Sequence, residues 1–360
     1  MKMVRRWLGI ISGALIVGAF AVAAPAVAAA DEGHGDGRYT QQNLVSDQPG
    51  HAATLDPNLV NAWGMSRGPN TPIWVSDNGT DVSTLYQGAV GGLPVSTLPL
   101  VVSIPGGAPT GQVFNDTTGF VVPGTGKPAA FIFAGEDGDL SAWNQQVSPT
   151  TAAVPVGHTD GAVYKGLALV HSPFGPLLLA ANFHDGRIDV FDAAFQRLPV
   201  ELLFADPSIP KGYAPFNVAE IGQRVFVTYA KQDADRRDDV AGPGHGFINT
   251  FTPYGVRLDR FTSRGALDSP WGITVAPAGF GRFSGDVLVG NFGDGRINAY
   301  DPQTGRMLGT LRGSNDRALS IDGLWGLLVG DAAAGGPNAV WFSAGPAGES
   351  HGLLGILTAD

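Results

Sequence analysis

The chain has 360 residues, of which 44% are apolar and 15% charged, with 52 glycines, 26 prolines and no cysteine. That apolar content excludes a disordered chain, and so much glycine and proline excludes a long helical bundle. The absence of cysteine excludes disulfides, thiolate catalysis and cysteine-bound metal, and 22 basic against 32 acidic residues argue against nucleic acid or an anionic membrane as partner.

Lys2, Arg5 and Arg6 precede an apolar stretch from Leu8 to Val22, and small residues from Ala24 to Ala30 follow. A positive start, an apolar centre and an A-x-A-like end predict a secretory signal peptide over 1–30, cut near Ala28 to Ala30. Gly9, Gly13 and Gly18 interrupt the stretch and argue against a retained anchor. Arg5-Arg6 leaves general and twin-arginine export both open. Removal of 1–30 takes the net charge from −10 to −13 and leaves a secreted chain with no long apolar run. Residues 31–38 (DEGHGDGR) read as a flexible arm, and 39–360 as the folded body.

That body repeats. A glycine is followed five residues later by a large apolar residue at Gly138/Trp143, Gly186/Phe191, Gly246/Phe251, Gly295/Tyr300 and Gly352/Leu357, and Asp81/Tyr86 keep the spacing in the first unit. The mean interval is about 54 residues, so six units fill the body. Each unit opens on an apolar run introduced by glycine: Trp63-Gly64-Met65, Gly119-Phe120-Val121, Lys165-Gly166-Leu167, Trp271-Gly272-Ile273 and Trp325-Gly326-Leu327. Phe216-Asn217-Val218 fills the fourth place without the glycine. A β-rich second run follows, then a turn such as Asp77-Asn78-Gly79, Asp137-Gly138, Asp185-Gly186 or Asp294-Gly295, suited to a tight hairpin. A fourth run closes the unit, as in Thr97–Val101, Val200–Phe204 and Arg306–Leu311.

Four short strands per unit predict an all-β, six-bladed β-propeller with four antiparallel strands per blade. The sixth unit ends after three strands. Tyr39–Ser46 is predicted to supply the fourth, closing the last blade and protecting its edges.

The Asp/Asn-Gly hairpins and Trp-Gly-Ile first strands resemble those of NHL-repeat and gluconolactonase-like six-bladed propellers. Asn58–Gly64 and Trp74–Thr80 resemble an exported bacterial family of conserved hypothetical proteins. This resemblance implies the fold and assigns no chemistry. It also implies that the inter-blade connections and second-to-third-strand hairpins share one face around the channel. On that face the candidate ligand-binding residues are Asn61, Asn115, Lys165, His184, Asn217, Asp268, Asn291 and Asp322, with Asp116 and Asp77 beside them. Glu136, Asn217, Asp268 and Asp322 form a candidate oxygen set for Ca²⁺ or another divalent metal. Gluconolactonase-like enzymes use a Glu from an early strand, where this chain has Asn58 to Trp63 instead.

His158, His184, His245 and His351 fall on the same face without a compact metal motif. Turn formation by Asp and Asn accounts for much of the hairpin set. Ala230–Gly246 is a charged insertion in blade four, read as a solvated loop able to lie over the channel as a lid. No nucleophile elbow, P-loop or dinucleotide fingerprint is present. The expected function is a secreted monomer that binds a small molecule, glycan or peptide at the channel face. A metal-dependent lactonase-like hydrolase and an extracellular interaction scaffold are the alternatives.

Overall fold

The structure is a computed structural model that describes residues 37–200 and 202–360. The predicted signal peptide, the predicted arm up to residue 36, and Glu201 lie outside the described residues. Six antiparallel sheets follow one another along the chain as the blades of a propeller. Their inner strands are Ala62–Ser66, Pro109–Phe114, Tyr164–Ser172, Tyr213–Ile221, Pro270–Val275 and Leu324–Val329. Among the described residues no helix is long and apolar enough to cross a membrane.

The predicted closure holds. Tyr39–Ser46 pairs antiparallel with Leu353–Ala359, from Tyr39 opposite Ala359 to Ser46 opposite Leu353, across one irregularity between Asn43 and Val45. The ladder begins earlier than the sequence suggested, because the Arg38 carbonyl accepts the Asp360 N–H at 3.1 Å. Tyr39, Leu44 and Val45 are buried, and the Tyr39 hydroxyl donates to the Phe280 carbonyl at 3.2 Å. Asp47 completes the latch, accepting from His351 Nδ1 at 2.8 Å and from the Gly352 N–H at 2.9 Å.

Blade two departs from the sequence reading. Its inner strand is Pro109–Phe114, whereas Gly119-Phe120-Val121 belongs to a small ribbon, Val121–Val122 paired with Lys127–Pro128, outside the blade. Phe120 anchors that ribbon by packing edge-on against Phe195, at 5.2 Å between ring centroids. Two outer strands lie upstream of the runs the sequence suggested, Thr97–Val101 and Val200–Phe204. In blade one Val95–Thr97 stops before Pro99, and in blade three Arg197–Leu198 stops before Pro199, since proline withholds a ladder donor. Hairpin glycines 138, 186 and 295 have φ of +80, +70 and +68°, as their turns require. In blade one the left-handed position is taken by Asp81 at φ +60°, after a 3₁₀ turn over Asn78–Thr80.

Glycines on the inner strands let neighbouring blades approach. A Cβ on Gly272 would lie 2.6 Å from the Trp325 carbonyl oxygen, and one on Gly326 2.8 Å from that of Trp63. Gly64 meets Thr110 in the same way, Gly111 meets Leu167, and Gly166 meets Asn217. Asn217 is the position that breaks the glycine pattern. Its amide spans to the next blade instead, donating to the Trp271 carbonyl at 2.8 Å.

Candidate functional site

Three of the six inner strands carry a Trp-Gly pair, and the three indoles meet inside the ring. Trp63 and Trp325 have centroids 3.7 Å apart, Trp271 stands edge-on to Trp325 at 5.8 Å, and Phe292 stacks on Trp325 at 3.9 Å. Phe216 reaches Trp325 from blade four at 5.7 Å. Trp63, Trp271, Trp325 and Phe216 form one buried cluster with Phe183, and the half-buried Phe292 packs against it. Contacts running from blade one to blade four cross the channel, so the cluster plugs it where the inner strands begin. The sequence showed the Trp-Gly repeat but not that its members converge.

Above the plug, at the strand-start mouth, lies a polar network. Asn61 is buried, and its Oδ1 accepts both Trp63 Nε1 at 2.9 Å and Trp325 Nε1 at 3.0 Å. Its Nδ2 donates to Glu349 at 2.7 Å and to Asn78 at 3.1 Å. Lys165 has a side chain only 3% exposed; its ammonium bonds Glu136 and, at 3.0 Å, Asp238 of the blade-four insertion. The ammonium also sits 5.1 Å from the Trp63 ring centroid. Burial pulls the Lys165 pKa down, but Glu136 and Asp238 outweigh it and leave it raised, so Lys165 is charged at neutral pH. Burial pushes Glu349 and Asp239 upward. The insertion does lie over this face: Gln232 donates to the Phe183 carbonyl at 2.6 Å and Arg237 pairs with Asp137 at 3.2 Å.

Below the plug, at the strand-end mouth, the channel opens into a cavity of about 420 Å³ lined by all six inner strands. Its walls combine the apolar side chains of Met65, Val113, Leu167, Leu169, Ile273 and Leu327 with nearly as much polar surface, and Trp271 lies at the base. The rim is charged. Arg67 is ion-paired with Asp331, and His171 joins Asp116 at 2.9 Å and Glu220 at 2.6 Å through its two ring nitrogens. These bonds tie blades two, three and four together. The hydrogen bond to Glu220, then that to Asp116, raises the His171 pKa above its ordinary 6.5.

A neutral imidazole has one proton and cannot donate to both carboxylates. The bridge therefore contributes fully below pH 6.5 and is lost as pH rises through the higher folded value. The stability difference between the wild type and His171→Gln should accordingly shrink on going alkaline. Denaturant titrations across pH 5–9 check this, and a difference that grows with pH would contradict it.

The remaining predicted residues are scattered. Asn115 lies at the strand-end mouth, not with the others, because the inner strand of blade two precedes it. There its amide closes a turn onto the Gly119 and Ala129 carbonyls, and Asp116 follows it onto the rim. Asp77 is fully buried inside blade one, bonded by Thr84 at 2.7 Å, and burial holds its pKa well above the carboxylate range.

Asp268 accepts the Gly242 N–H at 2.6 Å, fixing the base of the insertion, and burial raises its pKa. Asn291 donates to the Ala266 carbonyl at 2.8 Å and to Asp294 at 3.0 Å. Asp322 accepts the Ala347 N–H at 2.8 Å, and His184 faces Asp185 at 3.1 Å. The candidate metal set is thus dispersed: Glu136 holds Lys165, Asn217 holds the Trp271 carbonyl, and Asp268 and Asp322 hold loop amides. Among the described residues no three His, Asp or Glu side chains are arranged to hold a metal ion.

Uncharacterized protein R648 of Acanthamoeba polyphaga mimivirus is 34% identical over 327 residues, covering 88% of this chain and 79% of that protein. Uncharacterized protein L690 of the same virus is 34% identical over 329 residues, covering 88% of this chain and 85% of its own length. The chain belongs to their family. No family model matches it. A solved glucose dehydrogenase superposes with a TM-score of 0.53 at 11% identity, covering 89% of this chain and 100% of that one. At that identity the likeness concerns the fold alone, which is that of the NHL-repeat and gluconolactonase-like six-bladed propellers.

Proposed function

We propose that this is an exported binding protein whose ligand is a small, largely apolar molecule with one polar end, held in the strand-end cavity of the channel. The carrying observation is the cavity itself. All six inner strands contribute to it, the indole plug closes its base, and its volume lies in the range of about 300–1,000 Å³ typical of small-molecule sites. A wall that sets apolar side chains among polar groups, with charged groups at the rim, suits burial of an apolar body and orientation of a polar end. A glycan is less well served, because among the described residues the large aromatics that line the cavity are Phe114 and the nearly buried Trp271 alone.

The test is a titration with Nile red, a neutral solvatochromic dye. Saturable one-to-one binding with blue-shifted emission is expected. Thr274, half-buried on the wall, should report the position: Thr274→Trp fills the cavity and should weaken binding about tenfold or more. Absence of saturable binding, or equal binding by the variant, would remove this reading.

Export rests on the basic start and apolar stretch of residues 2–30. Protein recovered outside an expressing bacterium should have an intact mass corresponding to cleavage near Ala28 to Ala30. A full-length mass there, or retention inside the cell, would contradict it.

A further inference from the structure

The strand-start mouth carries a second site, independent of the cavity below the plug. We propose that Lys165 is a binding site for a small monocarboxylate, and that Asp238 occupies it in cis as a tethered stand-in for the ligand.

The two carboxylates on Lys165 are held very differently. Glu136 has a side chain only 14% exposed, and its second oxygen accepts Asn78 Nδ2 at 3.2 Å, so both oxygens are engaged. Asp238 has a side chain 66% exposed and comes from the tip of the blade-four insertion. That tip is a small turn folded on itself: Asp233 N–H donates to the Asp238 carbonyl at 2.8 Å, and Arg237 N–H to Asp233 Oδ1 at 2.9 Å. Apart from Asp238, its side chains reach the blades through the exposed pair Arg237–Asp137 and through Arg236 beside His184 at 3.4 Å. Exposed pairs of this kind contribute little. Its two flanks are fixed by Gln232 on the Phe183 carbonyl at 2.6 Å and by the Val240 N–H on the Lys231 carbonyl at 2.8 Å.

Next to the tip is a cavity of about 290 Å³ lined by Val163, His184, Asp235 and Arg237, and Val163 lies two residues before Lys165. Asp238 is itself exposed, so a molecule the size of lactate can approach from solvent the place its carboxylate would vacate.

Charge decides the ligand class. A buried ammonium cannot lose a counter-ion without a large cost, so whatever displaces Asp238 has to bring an equal charge. A monocarboxylate leaves the number of negative charges around Lys165 unchanged. A phosphate dianion adds one to a mouth that already holds Glu136, Asp239 and Glu349. Exchange also frees Asp238 and with it the tip, loosening the turn that holds the already exposed Arg236 and Arg237.

Those arginines make the exchange readable with trypsin. In the wild type, millimolar lactate should accelerate cleavage after Arg236 or Arg237 about fivefold, and phosphate at equal ionic strength should not. Asp238→Ala should be cut at the faster rate without ligand. Because a tethered competitor has been removed, its melting temperature should also respond to lactate at about tenfold lower concentration than the wild type. Should Asp238→Ala not fold, Asp238→Asn and the wild-type cleavage assay carry the test unaided. Unchanged cleavage with lactate, an equal effect of phosphate, or a folded Asp238 variant indifferent to lactate would each overturn the proposal.

Discussion

A chain that begins after Ser46 should fail to reach a cooperative native state. Tyr39–Ser46 is the fourth strand of the last blade, with only the two-residue strand Thr54–Leu55 outside it, and its partner Leu353–Ala359 is the last strand of the chain. Removing it leaves a row of unpaired backbone groups along Leu353–Ala359 and opens the apolar clusters that hold Tyr39, Leu44 and Val45. Burial of a large apolar side chain contributes about 1.5–3 kcal/mol, so these three alone supply an amount comparable with the ~5–15 kcal/mol by which domains are stable.

An exposed strand edge beside apolar surface also invites intermolecular pairing. The expected result is a truncated protein that aggregates on size-exclusion chromatography and shows no sharp thermal transition. The single change Tyr39→Ala should instead lower stability by about 3–5 kcal/mol while preserving the fold, since it empties the space against Phe280 and Phe283. A truncated chain that melts within a few degrees of the full one would show that the ring does not depend on this latch.

That latch was legible in the sequence because it follows from counting: six units, one strand short, and one unassigned β-rich segment. The same counting misplaced the inner strand of blade two, where a glycine precedes an apolar run twice. Only Gly111, not Gly119, lies against a neighbouring inner strand, and nothing local distinguishes them. Asn217 looked like a flaw in the repeat and is instead an inter-blade hydrogen bond.

The candidate site was less legible for a related reason. Sequence reasoning found polar residues at equivalent turns, but equivalence round a ring separates residues as often as it gathers them. What brings groups together is reach. Lys165 and the Trp side chains cross the channel, and Asp238 arrives on an insertion outside the repeat. The charged composition of that insertion was visible, whereas its contact with a lysine 73 residues away was not.

Replacing Lys165 by methionine is expected to be the most damaging single substitution on this face. The side chain is almost wholly buried, and its ammonium lies between Glu136 and Asp238 with the Trp63 ring beneath. Methionine keeps much of the packing and removes the charge, which leaves Glu136 buried without a counter-ion. Removal of one partner from a buried pair costs about 3–5 kcal/mol, mostly through the charge left behind.

This source of the loss makes a sharper claim possible. Glu136→Gln in the Lys165→Met background removes the orphaned charge and preserves a group that can bond Asn78. The double variant should therefore be more stable than Lys165→Met alone, with a coupling energy of about 1–3 kcal/mol in the double-mutant cycle. The raised Lys165 pKa means its contribution is complete below 10.5 and fades only as pH climbs through the folded value, so the cycle should give one answer from pH 6 to 9. Chemical denaturation of the four proteins measures it. If Lys165→Met and the double variant were equally destabilised, the loss would come from packing, and the ammonium would not be what holds the mouth of the channel together.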